Sequence, residues 1–337
     1  MHSKKFLIYG ENWAGTLPNL LFNSLQKKGH PTTIFDFTDI LPGIKERSIS
    51  GRIKRRLFRQ HYARAINTQF LRQFNEWQPD FVLIVKGLHL DREVLQHIKK
   101  AGAYLINWNP DDFLNSNNSN DNLIASIPDY DMIVSSREHR FPLYKQIGAN
   151  KLLLIDWYFI PEFHYYEPCE KIFEASFVGS WSPSREDFIS QLDKCFHIWG
   201  SGWGKSSSNF RKRHIVNHKI LSQREMAKCF ASSKYNLNML THENKDITNL
   251  RIFEVTASGG LLLTERNAFI SKYLTEGEEA LMYSSAEEVN RIFSQNPSSE
   301  RIALAGMKRI VDGGNSFEDR VTVLLKALEG QRIAVYP

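Results

Sequence analysis

The stretch NLRIFEVTASGGLLLTE, residues 249–265, combines charged side chains with a glycine pair. Its apolar residues recur at helical spacing and leave Arg251 and Glu254 near one polar edge. Gly259 and Gly260 end the helix, because glycine accepts the tight or left-handed backbone that a β-carbon disfavours. In open α/β sheets, phosphates and ribose bind where a helix N-terminus meets the carboxyl ends of parallel strands. A glutamate there can accept hydrogen bonds from both ribose hydroxyls. The alternative is a core-packing helix with surface charges.

Two further carboxylates follow a predicted strand at residues 103–108. Asp111 and Asp112 stand where a buried strand ends, and either could act as general base on a substrate hydroxyl or position it. A helix cap is the alternative for Asp112. Adjacent aspartates point in different directions and no third ligand is evident, so we expect no metal site.

The first strand of each half is followed by a glycine-containing turn. The loop Gly10–Gly15, which holds Glu11, Asn12 and Trp13, allows a ligand close to the backbone. It lacks the GxGxxG spacing of a dinucleotide site, and a plain tight turn is the alternative.

In the second half, the turn Gly179-Ser180 can place backbone N–H groups against a diphosphate, and Arg185 on the next helix adds positive charge. Trp203 ends the following predicted strand, where its indole could stack on a base. Packing is the alternative for that side chain. Asp246 stands eight residues before the glutamate at 254, so the two carboxylates could contact opposite ends of one elongated ligand. This spacing alone is common.

Other chemistries lack their motifs. No HExxH, GxSxG or GxxxxGK[ST] occurs, which disfavours metal hydrolysis, serine chemistry and ATP hydrolysis. The three cysteines show no CxxC spacing, so neither a zinc site nor a disulfide framework is supported, and we expect a reducing cytoplasm. No apolar run approaches the ~20 residues that cross a bilayer. We expect the opening MHSKKFLIYG to be a strand and not a signal peptide.

The formal net charge of +6 is concentrated in one segment. Residues Arg47–Ile66 carry many arginines and no acidic residue, with apolar residues between them, which predicts a basic amphipathic helix. Such a helix can lie on an anionic membrane surface or meet an anionic glycan or lipid phosphate. The alternative is a solvated face that keeps the protein soluble. We expect no nucleic-acid partner, because no recognition motif accompanies the charge.

A chain of 337 residues predicts two domains. Apolar strands alternate with helices in both halves, which predicts parallel sheets covered on both faces.

One long basic helix is predicted to run to Trp77, and Ser184 is predicted to cap the helix at 184–194. Residues 205–214 are predicted as a loop and 268–274 as a helix. We place an amino-terminal domain at 1–165, a carboxy-terminal domain at 166–325 and a tail at 326–337. Domains of this kind bind ligands in the cleft between them.

Residues 173–325 resemble the glycosyltransferase group 1-like domain of the CgeB (spore maturation protein) family. The resemblance rests on FVGSW, KYNLNML, NLRIFEVTASGGLLLTE, EGEEALMY, AEEVNRIF and NSFEDRV. The first half resembles the accompanying domain in QPDFVLIVKGLHL, IKKAGAYLINWNPDD and the DYDMIVSS…LYKQIGANKLLLI progression.

The resemblance implies an α/β GT-B fold: two Rossmann-like doubly wound domains facing a central cleft, a nucleotide-sugar donor on the second and an acceptor on the first. Glu254 would hold the ribose, and Arg251 with the Gly179-Ser180 turn would face the diphosphate. The donor-binding set it implies is Gly179, Ser180, Arg185, Trp203, Asn249, Arg251, Glu254, Ser258 and Gly259. The acceptor-side set is Glu11, Asn12 and Trp13, and the catalytic candidates are Asp111, Asp112 and Asp246.

Asp246 takes the place of the first acid in the E-x7-E pattern of related retaining enzymes, which leaves retention or inversion open. No metal or other cofactor is expected. The implied activity is transfer of a sugar from a nucleotide-diphosphate sugar to a glycan, lipid-linked or protein acceptor during surface-glycan synthesis in the cytoplasm, with residues 47–66 docking on the inner membrane face. The alternatives are a non-catalytic nucleotide- or glycan-binding protein of envelope or coat assembly, and a nucleotide-sugar epimerase.

Overall fold

The computed structural model describes residues 3–42, 44, 48–115, 118–241, 247–330 and 335–336. The chain forms two compact units, the first made of Met1–Asp156 with Arg320–Pro337 and the second of Trp157–Asp319. The division thus falls nine residues before the predicted boundary. The reason is that Phe159 packs in an apolar core of the second unit and pairs there with Ser316.

Strands and helices alternate along both units. The strands are β1 (Phe6–Tyr9), β2 (Thr32–Phe35), β3 (Phe81–Val85), β4 (Tyr104–Trp108), β5 (Met132–Ser135), β6 (Lys151–Leu154), β7 (Phe173–Val178), β8 (Phe196–Trp199), β9 (Ile215–Asn217), β10 (Ser233–Asn238), β11 (Leu262–Glu265), β12 (Leu281–Tyr283) and β13 (Val335–Tyr336). The helices are α1 (Leu17–Lys27), α2 (Ile49–Leu57), α3 (Arg59–Trp77), α4 (Arg92–Lys100), α5 (Asp121–Ala125), α6 (Phe141–Ile147), α7 (Pro183–Ser190), α8 (Ser208–Arg213), α9 (Gln223–Ala231), α10 (Leu250–Ala257), α11 (Ala286–Gln295), α12 (Ser299–Asp312) and α13 (Phe317–Leu328).

The sheet of the first unit has the strand order β13-β6-β5-β4-β3-β1-β2. Its strands are parallel except β13, which runs antiparallel to β6. β1 pairs with β2 on one side and with β3 on the other. The winding therefore reverses between β1 and β3, and ligands of open α/β sheets bind beside the carboxyl ends at such a reversal.

The sheet of the second unit is parallel throughout, in the order β12-β11-β10-β7-β8-β9. The chain adds β8 and β9 on one side of β7 and then places β10 on the other side. The winding reversal of this unit lies between β7 and β10.

The sheet of the second unit is buried on both faces, as the sequence predicts. Leu261 and Leu263 pack in one apolar cluster with Phe177, whereas Leu262 packs in another with Phe253. Because successive side chains of a strand point to opposite faces, each cluster covers one face of the sheet.

The prediction of one long basic helix is wrong. The backbone leaves helical geometry at Phe58 (φ −109°, ψ 29°), which separates α2 from α3. Cations at positions 52, 55, 56 and 59 face one another at helical spacings of three and four, and like charges at those spacings destabilise a continuous helix.

Three local predictions also need correction. The cap of α7 is Ser182 and not Ser184, since Pro183 occupies the first helical position. The predicted loop at 205–214 contains α8, which Ser207 caps. The predicted helix at 268–274 is a single 3₁₀ turn, Ile270–Lys272, preceded by Asn267, whose side chain accepts hydrogen bonds from the Phe269 and Ile270 N–H groups.

Helices of the described ranges include none that is both long and apolar enough to cross a membrane.

We predict that acid weakens the second unit through His214. This imidazole lies buried against Phe210, and its Nδ1 accepts a hydrogen bond from the Phe196 N–H at 3.2 Å. Burial, with a smaller contribution from Arg213, lowers its pKa to about 4. Between pH 6.5 and about 4, His214 is therefore protonated in the unfolded chain but neutral in the folded unit. The free energy of unfolding falls as the pH drops through this range.

Urea unfolding at a series of pH values checks this expectation. His214→Asn should flatten the profile by roughly 3 kcal/mol over that window. A residual slope from His164 and His197 should remain, because burial lowers the pKa of both. An unchanged slope in the variant would contradict the role of His214.

Candidate functional site

The winding reversal of the second unit carries a built arrangement around Arg185. This residue lies in the first turn of α7, where the Ser182 hydroxyl accepts a hydrogen bond from its backbone N–H at 3.3 Å. Its Nη1 donates to the Ser180 carbonyl at 2.8 Å and to the Ser180 hydroxyl at 3.1 Å. Its Nη2 donates to the Thr241 hydroxyl at 3.2 Å. One guanidinium therefore joins the loops that follow β7 and β10, the two strands of the reversal.

The turn at Gly179-Ser180 is held by the loop after β8. The Gly179 N–H donates to the Trp199 carbonyl at 2.9 Å, and the Trp181 N–H donates to the Ser201 carbonyl at 2.8 Å. Among the described residues, the Ser180 N–H between them has no hydrogen-bond partner. The structure thus brings Gly179, Ser180 and Arg185 together, as predicted.

Trp203 supports this turn from inside the core. Its indole Nε1 donates to the Gly179 carbonyl at 2.8 Å, and its ring stacks on Phe210 with centroids 5.3 Å apart. The side chain is buried. The structure therefore favours the packing alternative for this tryptophan over stacking on a base.

The helix α10 begins beside the end of β10. Asn249 precedes it, and its Nδ2 donates to the Asn238 side-chain oxygen at 2.9 Å. Asn249 therefore ties the start of α10 to the carboxyl end of β10. Asp246, the remaining catalytic candidate of this region, lies outside the described residues.

Glu254 does not present an open carboxylate. It is 4% exposed and forms an ion pair with Arg251, whose side chain is 23% exposed. On its other side the His164 Nε2 lies 3.8 Å from the Glu254 Oε1. Burial and the nearby Glu254 charge raise the pKa of the Tyr158 hydroxyl. Contact between Glu254 and a ribose would require the Arg251 guanidinium to move aside.

His164 is the residue of this group that the sequence reasoning missed. It is buried, and its Nδ1 accepts a hydrogen bond from the Ile160 N–H at 3.1 Å. Because Nδ1 is an acceptor, the neutral ring carries its proton on Nε2, which faces the Glu254 carboxylate. No local motif could have found this contact, since His164 precedes Glu254 by ninety positions.

The two other predicted residues of this region, Ser258 and Gly259, terminate α10. The Ser258 hydroxyl donates to the Glu254 carbonyl at 2.7 Å. Gly259 has φ +74°, and a β-carbon there would lie 2.3 Å from the Tyr166 ring. Ser258 thus caps the helix end from within, and Gly259 allows the helix end to approach Tyr166 closely.

The winding reversal of the first unit holds a cavity of about 340 Å³. Its lining comes from the ends of β1 and β3 and from the loops beyond them, and includes Gly10, Glu11, Thr16, Ile44, Lys86 and His89. Glu11 lines this ligand-sized space, and its acceptor-side role stays a prediction. Asn12 instead accepts a side-chain hydrogen bond from Asn19 at 3.0 Å, and Trp13 accepts one from Thr16 through its carbonyl.

The two adjacent aspartates have different surroundings. Asp111 forms an ion pair with Lys86 at 2.7 Å, next to the cavity. Asp112 is buried, pairs with Arg140 and accepts a hydrogen bond from the Leu114 N–H at 3.1 Å. Both oxygens of Asp112 are occupied by the fold, one by the Leu114 N–H of a turn and the other by Arg140. Asp112 precedes no described helix, so the helix-cap alternative does not hold, and its role here is structural. Asp111 is the more exposed of the two, with a side chain that is 26% exposed.

Across the ranges that the structure describes, no three His, Cys, Asp or Glu side chains are grouped so as to hold a metal ion.

Comparison with known proteins bears on the second unit most directly. Residues 185–326 match a family model described as glycosyl transferase-like. No curated protein matches the sequence significantly.

Solved structures with the same fold cover almost the whole chain. Sucrose-phosphate synthase from Thermosynechococcus elongatus is 10% identical with a TM-score of 0.72, over 97% of this chain and 99% of that chain. Anabaena HepE in complex with UDP-glucose is 10% identical with a TM-score of 0.63, over 97% and 99%. UDP-GlcNAc 2-epimerase from Neisseria meningitidis, bound to UDP-GlcNAc, is 11% identical with a TM-score of 0.56, over 97% and 100%.

The fold and the matched domain together define a class. The predicted α/β GT-B fold with two Rossmann-like units is confirmed. The family match confirms the predicted enzyme class, a glycosyltransferase, for the carboxy-terminal half.

We predict that Gly200→Ala disrupts the Gly179-Ser180 turn. Gly200 has φ +139°, and a β-carbon there would lie 2.0 Å from the Gly179 carbonyl oxygen. Backbone must move to relieve such an overlap, so we expect a lower melting temperature. Gly204→Ala is the matched control, because nothing lies within 4 Å of its β-carbon position. Equal behaviour of the two variants would contradict the close approach.

We predict that Glu254→Ala destabilises the second unit. Removal of the carboxylate leaves the partly buried Arg251 uncompensated, which costs about 3 kcal/mol. Glu174→Ala is the control, since Glu174 pairs with Lys194 at the surface of the same unit and should cost less than about 1 kcal/mol. Chemical denaturation measures both changes, and equal small losses would show that the Glu254 pair contributes little.

Proposed function

We propose that the chain is a glycosyltransferase that takes its sugar from a nucleotide-diphosphate sugar held by the second unit. The observation that carries the proposal is the Arg185 guanidinium, which joins the loops at the winding reversal of the unit with the glycosyl transferase-like match. HepE and the epimerase, which share the fold, are described in complex with UDP-sugars. Their ligands support a diphosphate donor here.

In this proposal the diphosphate accepts hydrogen bonds from the Ser180 N–H and from Arg185. The bond between the anomeric carbon and the diphosphate oxygen breaks, and an acceptor hydroxyl oxygen bonds to that carbon while its proton passes to a base. Negative charge grows on the departing diphosphate, and a fixed cation stabilises it without reorganisation. Arg185 can fill that role, so we propose a reaction that needs no metal ion.

Asp111 is our candidate for the base or for positioning the acceptor. Its carboxylate pairs with Lys86, and Lys86 lines the cavity of the first unit. We retain Asp246 as a proposed donor-side catalytic residue and Glu254 as the proposed ribose ligand on the strength of the CgeB resemblance.

The broader setting is also a proposal. The CgeB resemblance supports a role in surface-glycan synthesis on the cytoplasmic side of the membrane. The basic segment that includes α2 supports peripheral association with that membrane, because cations attract anionic lipid headgroups.

One observation favours the second candidate, a non-catalytic nucleotide-binding protein. The proposed ribose ligand Glu254 is already engaged by Arg251 and faces His164. Incubation with a panel of labelled nucleotide sugars separates the candidates, since a binder is stabilised by a nucleotide but neither hydrolyses nor transfers its sugar. An epimerase would convert the donor with no acceptor present.

We predict that Arg185→Ala weakens UDP binding at least tenfold. Hydrogen bonds from a charged donor contribute about 1.5–3 kcal/mol each, and a tenfold loss corresponds to 1.4 kcal/mol. A ligand at one hundred times its dissociation constant stabilises by about 2.7 kcal/mol, so a thermal-shift titration resolves the difference.

Arg213→Ala is the matched control. Arg213 also donates to backbone, to the Ser190 carbonyl at 2.7 Å, but it lies at the end of α8 and away from the Gly179-Ser180 turn. We expect wild-type UDP affinity in this variant. Wild-type affinity in Arg185→Ala as well would remove Arg185 from the donor site.

A further inference from the structure

The helix α2 presents apolar side chains to solvent. Ile49, Ile53 and Leu57 are 73%, 55% and 72% exposed, and Phe58 at its end is 55% exposed. Positions 49, 53 and 57 are four apart and form one stripe along the helix. Apolar residues of a surface helix normally face the core. Here that position is taken by Gly51, which is buried, so the stripe points away from the fold.

Cations border the stripe on both sides. By helical geometry, Arg52 and Arg56 lie along one edge and Lys54 along the other. All three side chains are exposed, and within the described ranges none has an ion-pair partner. From Ser48 onward the first acidic residue is Glu76, near the end of α3. This face therefore combines exposed apolar surface with uncompensated positive charge.

The inner side of α2 meets the wall of the first unit's cavity. Arg55 is half-buried and donates a hydrogen bond to the Pro42 carbonyl, close to Ile44 in the cavity lining. His89 lines the same cavity, and its pKa is lowered by burial and then by the charges of Arg59 and Arg55. The inner side of α2 is thus tied to the loop that supplies Ile44 to the cavity lining.

We propose that the first unit docks on an anionic bilayer through the α2 face and admits the headgroup of a phosphate-linked lipid acceptor into its cavity. The docking step stands without the proposed glycosyl transfer, whereas the acceptor assignment rests on it. The apolar stripe enters the headgroup boundary, which amphipathic helices penetrate by ~5–10 Å. Arg55, Arg59 and His89 meet the phosphate that links lipid and headgroup. A headgroup hydroxyl oxygen then bonds the anomeric carbon and passes its proton to the proposed base Asp111, as the bond to the nucleoside diphosphate breaks and the nucleoside diphosphate leaves.

Charge decides in favour of a bilayer over a second copy of this chain. A symmetric contact through α2 would bring the arginines and lysine of two copies together with no acidic partner among the described neighbours. An anionic leaflet offers negative charge and an apolar layer at once.

Vesicle flotation tests the docking. We expect phosphatidylcholine vesicles that contain phosphatidylglycerol to bind the full chain at least tenfold better than pure phosphatidylcholine. Each removed cation should cost about fivefold, so Arg52→Gln with Arg56→Gln should cost about 25-fold. Ile53→Glu should abolish flotation. Ile172→Glu, a change at a 65% exposed isoleucine of the second unit, should leave it intact.

Equal binding to both vesicle types, or flotation that survives Ile53→Glu, overturns the docking. So does a concentration-dependent dimer that Ile53→Glu dissociates, since that result makes a second copy the occupant. UDP stabilisation measured on the same samples keeps the two proposals apart. If UDP still stabilises Ile53→Glu, the second unit of that variant is folded. If UDP does not stabilise the wild-type chain, the result counts against the donor site and not against docking.

Transfer of radiolabelled sugar from a nucleotide sugar into the organic phase of a membrane-lipid extract tests the acceptor. We expect His89→Glu to abolish this transfer while vesicle flotation and UDP stabilisation persist. Glycerol 3-phosphate is the soluble arm. Transfer to glycerol 3-phosphate with none to lipid assigns the cavity to a free phosphate compound and overturns the lipid acceptor, as does unchanged lipid labelling in His89→Glu.

Discussion

Burial of both sheet faces constrains where this protein can bind anything polar. In the second unit, Leu262 faces one apolar cluster while its neighbours Leu261 and Leu263 face the other, so neither face has room for a ligand. Polar chemistry is left to the strand ends. At the carboxyl ends, the reversal of winding separates two loops that would otherwise be packed together, and each unit uses that gap differently. The first leaves a cavity, whereas the second bridges the gap with Arg185.

The two winding reversals also differ in the charged groups that they carry. Arg185 joins two loops by donating hydrogen bonds to the neutral oxygens of Ser180 and Thr241, which places a guanidinium at this reversal. In the first unit the charge of Lys86 is already matched by Asp111, and the cations near the cavity come from the α2–α3 corner. The guanidinium at the reversal of the second unit supports the proposed diphosphate ligand there. The cavity of the first unit supports the proposed acceptor, a hydroxyl-bearing ligand with one phosphate.

Sequence reasoning found the features that depend on local pattern. The alternation of apolar strands and helices predicted both parallel sheets, and the Gly179-Ser180 turn with Arg185 was found because all three residues lie within one strand–turn–helix unit. Thr241 was missed, since its contact with Arg185 spans 56 positions. Glu254 was expected to face a ligand because helical spacing places it beside Arg251 on a polar edge. The sequence does not show that Glu254 is buried or that His164 faces it. The break at Phe58 was hidden because apolar periodicity continues across it, while repulsion among like charges leaves no mark on that pattern.

The last helix and strand have a consequence for how the chain can be divided. α13 begins in the second unit and continues into the first, where the Lys151 ammonium donates to the Ala327 carbonyl at 3.2 Å. β13 then covers the outer side of β6 by antiparallel pairing. A fragment that stops at Asp156 would lack β13 and leave the N–H and C=O groups along the outer edge of β6 unpaired. Unpaired edge strands promote self-association. The sheet of the first unit is therefore completed by β13, which follows the whole second unit along the chain, so this sheet cannot be completed before the second unit has been synthesised.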